Sequence, residues 1–276
     1  MDAWGLRPNK AMGQNFLHAP RIVDRIVAST AAGPQETLLE IGPGLGALTL
    51  ALADRCARLI AVEKDPRMVP LLRAELIAAG HEQVEIVEAS ILDLDLAALA
   101  GPGAPMVVLG NLPYNISSQV LVHLVAHRAV IDRAVLMFQK ELAERITARP
   151  GGRDYGRLTV VLAYCAQVRP LFTVGAQNFF PRPKVDSTVV EVRFTAPPTP
   201  VRDEALFARV VQAAFGQRRK TLKNALSGSA LPLDPAAAEA LLAMAGIDPR
   251  RRAETLTVAE FAMLSDGLGD WLAAKG

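Results

Sequence analysis

Residues 110–117 read Gly-Asn-Leu-Pro-Tyr-Asn-Ile-Ser and follow the apolar run 106–109. That pattern puts Asn111, Pro113 and Tyr114 at the exposed end of a buried strand, where open α/β sheets carry their chemistry. Asn111 offers an amide oxygen as acceptor. Pro113 stiffens the backbone so that the Leu112 carbonyl can face outward, and Tyr114 presents a flat surface to a planar group. Two acceptors beside an aromatic face suit an exocyclic amino group on a stacked base. The same residues would also make an ordinary strand-to-helix turn, with Ser117 and Ser118 as helix caps, so the choice depends on the rest of the chain.

A second stretch narrows that choice. Residues 37–41 (TLLEI) form a compact apolar strand that runs into Gly42-Pro43-Gly44-Leu45-Gly46, and a helical pattern follows. Strand, glycine turn and helix make the first unit of a nucleotide-binding fold: glycine lets the backbone approach a ligand, and the helix start presents free N–H groups. A further strand, 59–62, ends at Glu63, 17 residues beyond Gly46, where a carboxylate can accept both ribose hydroxyls. The spacing is ExGxGxG from Glu40, not the GxGxxG of a dinucleotide site. A carboxylate at that strand end is badly placed beside a pyrophosphate but well placed beside the sulfonium and amino group of S-adenosylmethionine.

The elements that must position these groups alternate. An arm over residues 7–18, rich in amides and positive charge, carries Phe16 and Leu17 as apolar anchors and precedes a helix over 20–31. Helices over 65–80, 117–127 and 140–148 interleave with strands at 84–87 and 134–138, and Ser90 lies near a strand end. Such alternation specifies a largely parallel sheet. Segment 158–168 is apolar without a deciding period, so strand and helix both remain open there. Residues 189–194 alternate as a late strand. Between them Phe179 and Phe180 precede a stiff Pro181-Arg182-Pro183; one ring held outward would face Tyr114 across a slot one base thick. The Pro-rich 196–200 reads as a linker into a small all-α domain with two basic runs: Arg218, Arg219, Lys220 and Lys223, then Arg250–Arg252. These form a candidate phosphate-contacting surface.

The totals set bounds. With 276 residues and 51% hydrophobic content there is room for a large core and a second, smaller domain. Thirty basic against 28 acidic residues leave no global basic field, so nucleic-acid binding must rest on local clusters. Cys56 and Cys165 stand alone, without zinc-site spacing or a disulfide framework. No apolar run approaches the ~20 residues of a membrane span and the N-terminus lacks a signal-peptide core, so the expectation is a soluble, cytoplasmic, metal-free protein. Nothing announces an oligomer, and a monomer is expected.

Six stretches together resemble the ribosomal RNA adenine N6-dimethyltransferases, in particular the small-subunit enzymes: GQNFL (13–17), LEIGPGLGALT (39–49), VEKD (62–65), NLPYNISS (111–118), FFPRPKVDS (179–187) and FGQRRKTLKNAL (215–226). The resemblance implies a Rossmann-like S-adenosylmethionine-dependent methyltransferase domain over 1–195 and a small helical RNA- and ribosome-binding domain over 201–276. It implies that Gln14, Asn15, Leu17, Glu40, Gly42, Gly44, Gly46, Glu63, Lys64, Ser90 and Asn111 bind the cofactor, whose product is S-adenosylhomocysteine. Asn111, Leu112, Tyr114 and Phe179 would form the target site, and Arg218, Arg219, Lys220 and Lys223 would contact RNA. The implied reaction is N6,N6-dimethylation of two adjacent adenosines in the 3′-terminal hairpin loop of small-subunit rRNA, within a pre-assembled particle. At position 90 the family usually carries an aspartate toward the cofactor adenine; Ser90 can accept the same bond without charge assistance.

Overall fold

The computed structural model describes residues 12–275 apart from 102 and 104, so arm residues 7–11 lie outside the described residues. The chain divides into two compact units. The first comprises the residues up to Ala143 together with Val168–Phe194; the second comprises Glu144–Gln167 and the residues from Thr195 onward.

In the first unit a short strand β1 (Phe16–Leu17) is followed by β2 (Thr37–Ile41), β3 (Arg58–Glu63), β4 (Glu85–Glu88), β5 (Met106–Asn111) and β6 (Ile131–Gln139). Then come β7 (Ala166–Val174), β8 (Phe179–Phe180) and β9 (Ser187–Phe194). Seven of these make one sheet in the order β4-β3-β2-β5-β6-β9-β7. The pairs β4/β3, β3/β2, β2/β5 and β5/β6 are parallel, and β9 runs antiparallel to β6. Central strands of a sheet covered on both faces read as unbroken apolar runs. Accordingly Leu38, Leu39, Ile60, Val107, Val108 and Leu109 are fully buried, each contributing about 1.5–3 kcal/mol.

Two local devices hold the sheet in register with its surroundings. Arg133 on β6 is buried; its Nε and Nη2 donate to the Thr30 and Ala31 carbonyls at 2.8 and 2.9 Å, and it pairs with Glu36 at 2.9 Å. It thereby satisfies carbonyls at the end of helix Pro20–Thr30 that have no intrahelical partner. At the other end of the sheet a Cβ on Gly110 would fall 2.6 Å from the Ile41 carbonyl oxygen. Only glycine allows β5 to run this close to β2, and the approach brings the Asn111 tip and the glycine turn after β2 into one cleft.

The segment left open by the sequence resolves into both structures, helix Arg157–Cys165 followed directly by β7. The division after Phe194 lies beside the expected 195, and a segment inside the expected 1–195 domain groups with the helices instead. Residues 144–167 belong to the helical unit, where the Tyr164 ring packs tilted against Phe207 at 4.5 Å and Tyr155 lies 6.2 Å from Phe215. The Gly151 N–H donates to the Glu254 carbonyl at 2.7 Å in the same unit. Helices Glu204–Gly216, Leu222–Ser227, Pro235–Met244 and Val258–Ala273 complete it. The last is opened by a Thr257/Glu260 capping box.

Candidate active site

A cavity of about 560 Å³ opens at the carboxyl ends of β2, β3, β4 and β5. Its lining includes nearly every residue expected to hold the cofactor: Gln14, Asn15, Leu17, Glu40, Gly42, Gly44, Glu63, Lys64, Ser90 and Asn111. Gly46 is the exception. It takes φ +85° at the start of helix Ala47–Leu52, and a Cβ there would sit 2.8 Å from Leu72. Its place is the packing of turn against helix.

Glu63 is buried at the end of β3. Its carboxylate accepts the Gly44 N–H at 3.1 Å and the Asp65 N–H at 2.7 Å. One bond to each oxygen fixes the group while leaving further lone pairs for a diol. Burial pushes its pKa up, and these backbone donors pull against that. Glu40, 2% exposed, is different: burial raises its pKa to about 7, opposed by the nearby Thr49 hydroxyl and reinforced by Glu63. Glu40 Oε2 and the Thr49 hydroxyl are both buried without a hydrogen-bond partner. An orphaned carboxylate oxygen lining a cavity is costly unless a cation completes it. The residues present therefore fit a cofactor that carries positive charge, such as the sulfonium and ammonium of S-adenosylmethionine. Ser90, at the end of β4, lines the same wall.

At the β5 tip, the Asn111 side chain donates from Nδ2 to the Asn15 carbonyl at 2.8 Å. Because only the nitrogen can donate to a carbonyl, this bond fixes the amide's sense and leaves Oδ1 as the acceptor. Leu112 lines the cavity. The Pro113 carbonyl is taken by the turn, accepting from Ile116 N–H at 3.2 Å and Ser117 Oγ at 3.0 Å. Tyr114 is half-buried with its hydroxyl 2.9 Å from Ser187 Oγ; its neighbours Pro113 and Asn115 line the cavity and it does not.

The aromatic expected opposite Tyr114 needs correcting. Phe179 is 3% exposed and packs in the hydrophobic core with Leu17, whereas Phe180 is 55% exposed and lines the cavity. Successive strand residues face opposite ways, so with Phe179 paired to Leu17 across β1 and β8, Phe180 is the ring presented outward.

Several contacts around these residues went unread in the sequence. Asp65 is 1% exposed and accepts from Gln14 Nε2 at 2.9 Å and Arg67 Nη2 at 2.6 Å; Arg67 holds its pKa down at about 2. Phe16 packs on the glycine turn, and a Cβ on Gly44 would meet its ring at 3.0 Å. The VEKD stretch contained Asp65, but no spacing signal tied it to residue 14.

In the helical unit Arg218, Arg219 and Lys220 are exposed. The Arg218 guanidinium donates to the Arg153 carbonyl, and Lys223 pairs with Glu239 at 2.6 Å. The second basic run is largely engaged within its own unit: Arg250 pairs with Asp248 at 2.9 Å and Arg251 with Glu260. Among the described residues no group of three or more His, Cys, Asp or Glu is arranged to hold a metal, and no helix is long and apolar enough to cross a membrane.

A parallel sheet with one antiparallel strand beside its edge, an acidic glycine turn and an amide-bearing strand tip define the fold of the S-adenosylmethionine-dependent methyltransferases. Solved structures agree. A dimethyladenosine transferase from Plasmodium falciparum superposes with a TM-score of 0.75 at 26% identity, covering 90% of this chain and 95% of that one. The 23S rRNA methyltransferase ErmE gives 0.68 at 28%, covering 92% and 100%. The chain belongs to the ribosomal RNA adenine dimethylase family, which it matches over residues 5–269. Among its relatives, the ribosomal RNA small subunit methyltransferase A of Desulforapulum autotrophicum is 51% identical over 95% of this chain and 93% of its own length. The protein of the same name from Geobacter sulfurreducens is 47% identical over 99% and 98%.

Proposed function

We propose that this chain dimethylates N6 of two adjacent adenosines in the 3′-terminal hairpin loop of small-subunit rRNA, acting as a cytoplasmic monomer on a pre-assembled particle. The observation that carries the reading is the Asn111 amide, pinned so that its oxygen accepts, beside a cavity where Oε2 of the buried Glu40 lacks a hydrogen-bond partner. The names of the relatives support the choice of subunit.

S-adenosylmethionine supplies an electrophilic methyl group whose leaving group is already in place. The chain's own residues prepare the nucleophile. An adenine amino nitrogen is weakly nucleophilic because its lone pair is delocalised into the ring. Asn111 Oδ1 and the Leu112 carbonyl accept its two N–H bonds, which favours a pyramidal nitrogen with its lone pair turned toward the methyl. Tyr114 and Phe180 hold the extruded base, each stacking contact contributing ~1–3 kcal/mol. Glu63 and Ser90 bind ribose and adenine of the donor, Glu40 balances its charge, and Lys64 borders its pocket. Arg218, Arg219 and Lys220 contact phosphates, with Lys223 a weaker contributor because Glu239 already neutralises it.

The test is methyl transfer from labelled S-adenosylmethionine to unmethylated small subunits, with the product nucleotides mapped and Asn111→Ala as control. Dimethyladenosine in the 3′ hairpin loop, lost in the variant, is the expected result. Labelling of large-subunit rRNA instead would overturn the target assignment, and binding without transfer would overturn the catalytic one.

A further inference from the structure

The arm residues 13–18 touch each part of the site. Gly13 lies against the β5 tip, where a Cβ would be 3.1 Å from Asn115 Oδ1. The Asn15 carbonyl receives the Asn111 amide, Phe16 covers Gly44, and β1 pairs with β8, the strand that presents Phe180. Only two residues of β1 pair with β8, too short a ladder to fix the arm alone. A long-range side-chain bond supplies another attachment: Gln14 Nε2 to Asp65 Oδ2 at 2.9 Å.

Asp65 is well suited to be the fixed end. Its carboxylate is held by the Arg67 backbone N–H at 3.1 Å and by the Arg67 guanidinium at 2.9 and 2.6 Å. Its own N–H donates to Glu63 Oε1. One residue thus connects the ribose-binding carboxylate to the arm, and the arm connects to the amide that receives the substrate amine.

We propose that Gln14 and Asp65 form a latch that seats the arm so that the Asn15 carbonyl orients Asn111, making Asp65 a positioning residue for methyl transfer. This rests on the proposed reaction for its catalytic half, while the seating of the arm does not. The latch needs a donor at position 14 facing an acceptor at 65. Its loss frees the Asn111 amide to rotate and present N–H where an acceptor is required.

The experiment is a double-mutant cycle with Gln14→Met and Asp65→Ala, adding Gln14→Lys, which restores a donor, and Asp65→Asn, which keeps an acceptor. Two quantities are read: kcat at saturating S-adenosylmethionine, and hydrogen exchange of the Phe16 and Leu17 amides in the cofactor-free protein. Each disrupting single variant is expected to lower kcat about tenfold and speed arm exchange, with the double no more than about twofold below the worse single because both remove one interaction. Gln14→Lys and Asp65→Asn should recover kcat to within about threefold. Losses that multiply to about a hundredfold in the double, failure of both conservative variants to recover, or unchanged arm exchange would overturn the latch. If the wild-type chain proves not to methylate rRNA, the proposed reaction falls, and arm exchange across the five variants still decides whether Gln14 and Asp65 seat the arm.

Discussion

Glu40→Gln separates the cost of the cofactor pocket from its use. In the cofactor-free fold burial lifts the Glu40 pKa from 4.5 to about 7, so the fold favours the protonated acid. The stability this confers relative to the ionised form is complete below about pH 4.5 and is lost as the pH rises through about 7. At about 1.4 kcal/mol per pH unit, keeping the carboxylate ionised at pH 8 costs about 3 kcal/mol. Glutamine has the same shape and no charge, and its amide can donate to the buried, unpartnered Thr49 hydroxyl. The variant should therefore match wild type near pH 4.5 and exceed it by about 3 kcal/mol at pH 8, measured as urea midpoints at both values. Titration calorimetry should show the reverse for function, with S-adenosylmethionine binding about tenfold or more weaker at pH 8 because the cation loses its counter-charge. Wild type should also take up the cofactor with proton release below pH 7, which the variant would lack. Parallel stability curves for the two proteins across pH 4.5–8 would refute the reasoning, since the two chains differ in no other residue.

Other perturbations test separate parts of the site. Ser90→Asp adds charge assistance to the bond expected with the cofactor adenine and should tighten S-adenosylhomocysteine binding about three- to tenfold by calorimetry. Gly110→Ala would drive a Cβ to within 2.6 Å of the Ile41 carbonyl; the strands must part, and thermal unfolding should show a loss of about 2 kcal/mol or more. Phe180→Ala should lower kcat/KM for the ribosomal substrate about tenfold with little change in urea midpoint, whereas Phe179→Ala should cost about 3–5 kcal/mol of stability. Replacing Arg219 and Lys220 together with alanine should weaken particle binding at all sequences alike and reduce the slope of log affinity against log salt by about two.

Most of the sheet was readable because buried parallel strands leave short apolar blocks: 37–41 was bounded to the residue, and 59–62 and 134–138 fell inside longer strands. β7 was not readable. It is half-exposed, interrupted by Pro170, and continuous with a helix whose residues are as apolar as its own. The acidic strand end before the glycine turn was legible as a feature badly placed beside a pyrophosphate, and the structure buries that Glu40 at the cavity wall. The tether that aims Asn111 was not legible, because its acceptor is a backbone carbonyl 96 residues away and every residue has one. Arg250 and Arg251 read as a basic surface because a sequence shows charge without its partners; Asp248 and Glu260 lie close by, in a turn and a helix start that bring them onto those arginines.

The pairing of Phe179 with Leu17 and the outward turn of Phe180 bear on how this site tolerates change. Two adjacent phenylalanines are chemically identical, and only their parity along the strand decides which one meets a ligand. Inserting or deleting one residue between Gly175 and Asn178 would exchange their faces, sending the outer ring into the core and the inner ring into water. That connector should therefore accept substitutions of side chain far more readily than any change in its length, and a chain altered there by one residue would keep its composition and lose its wall.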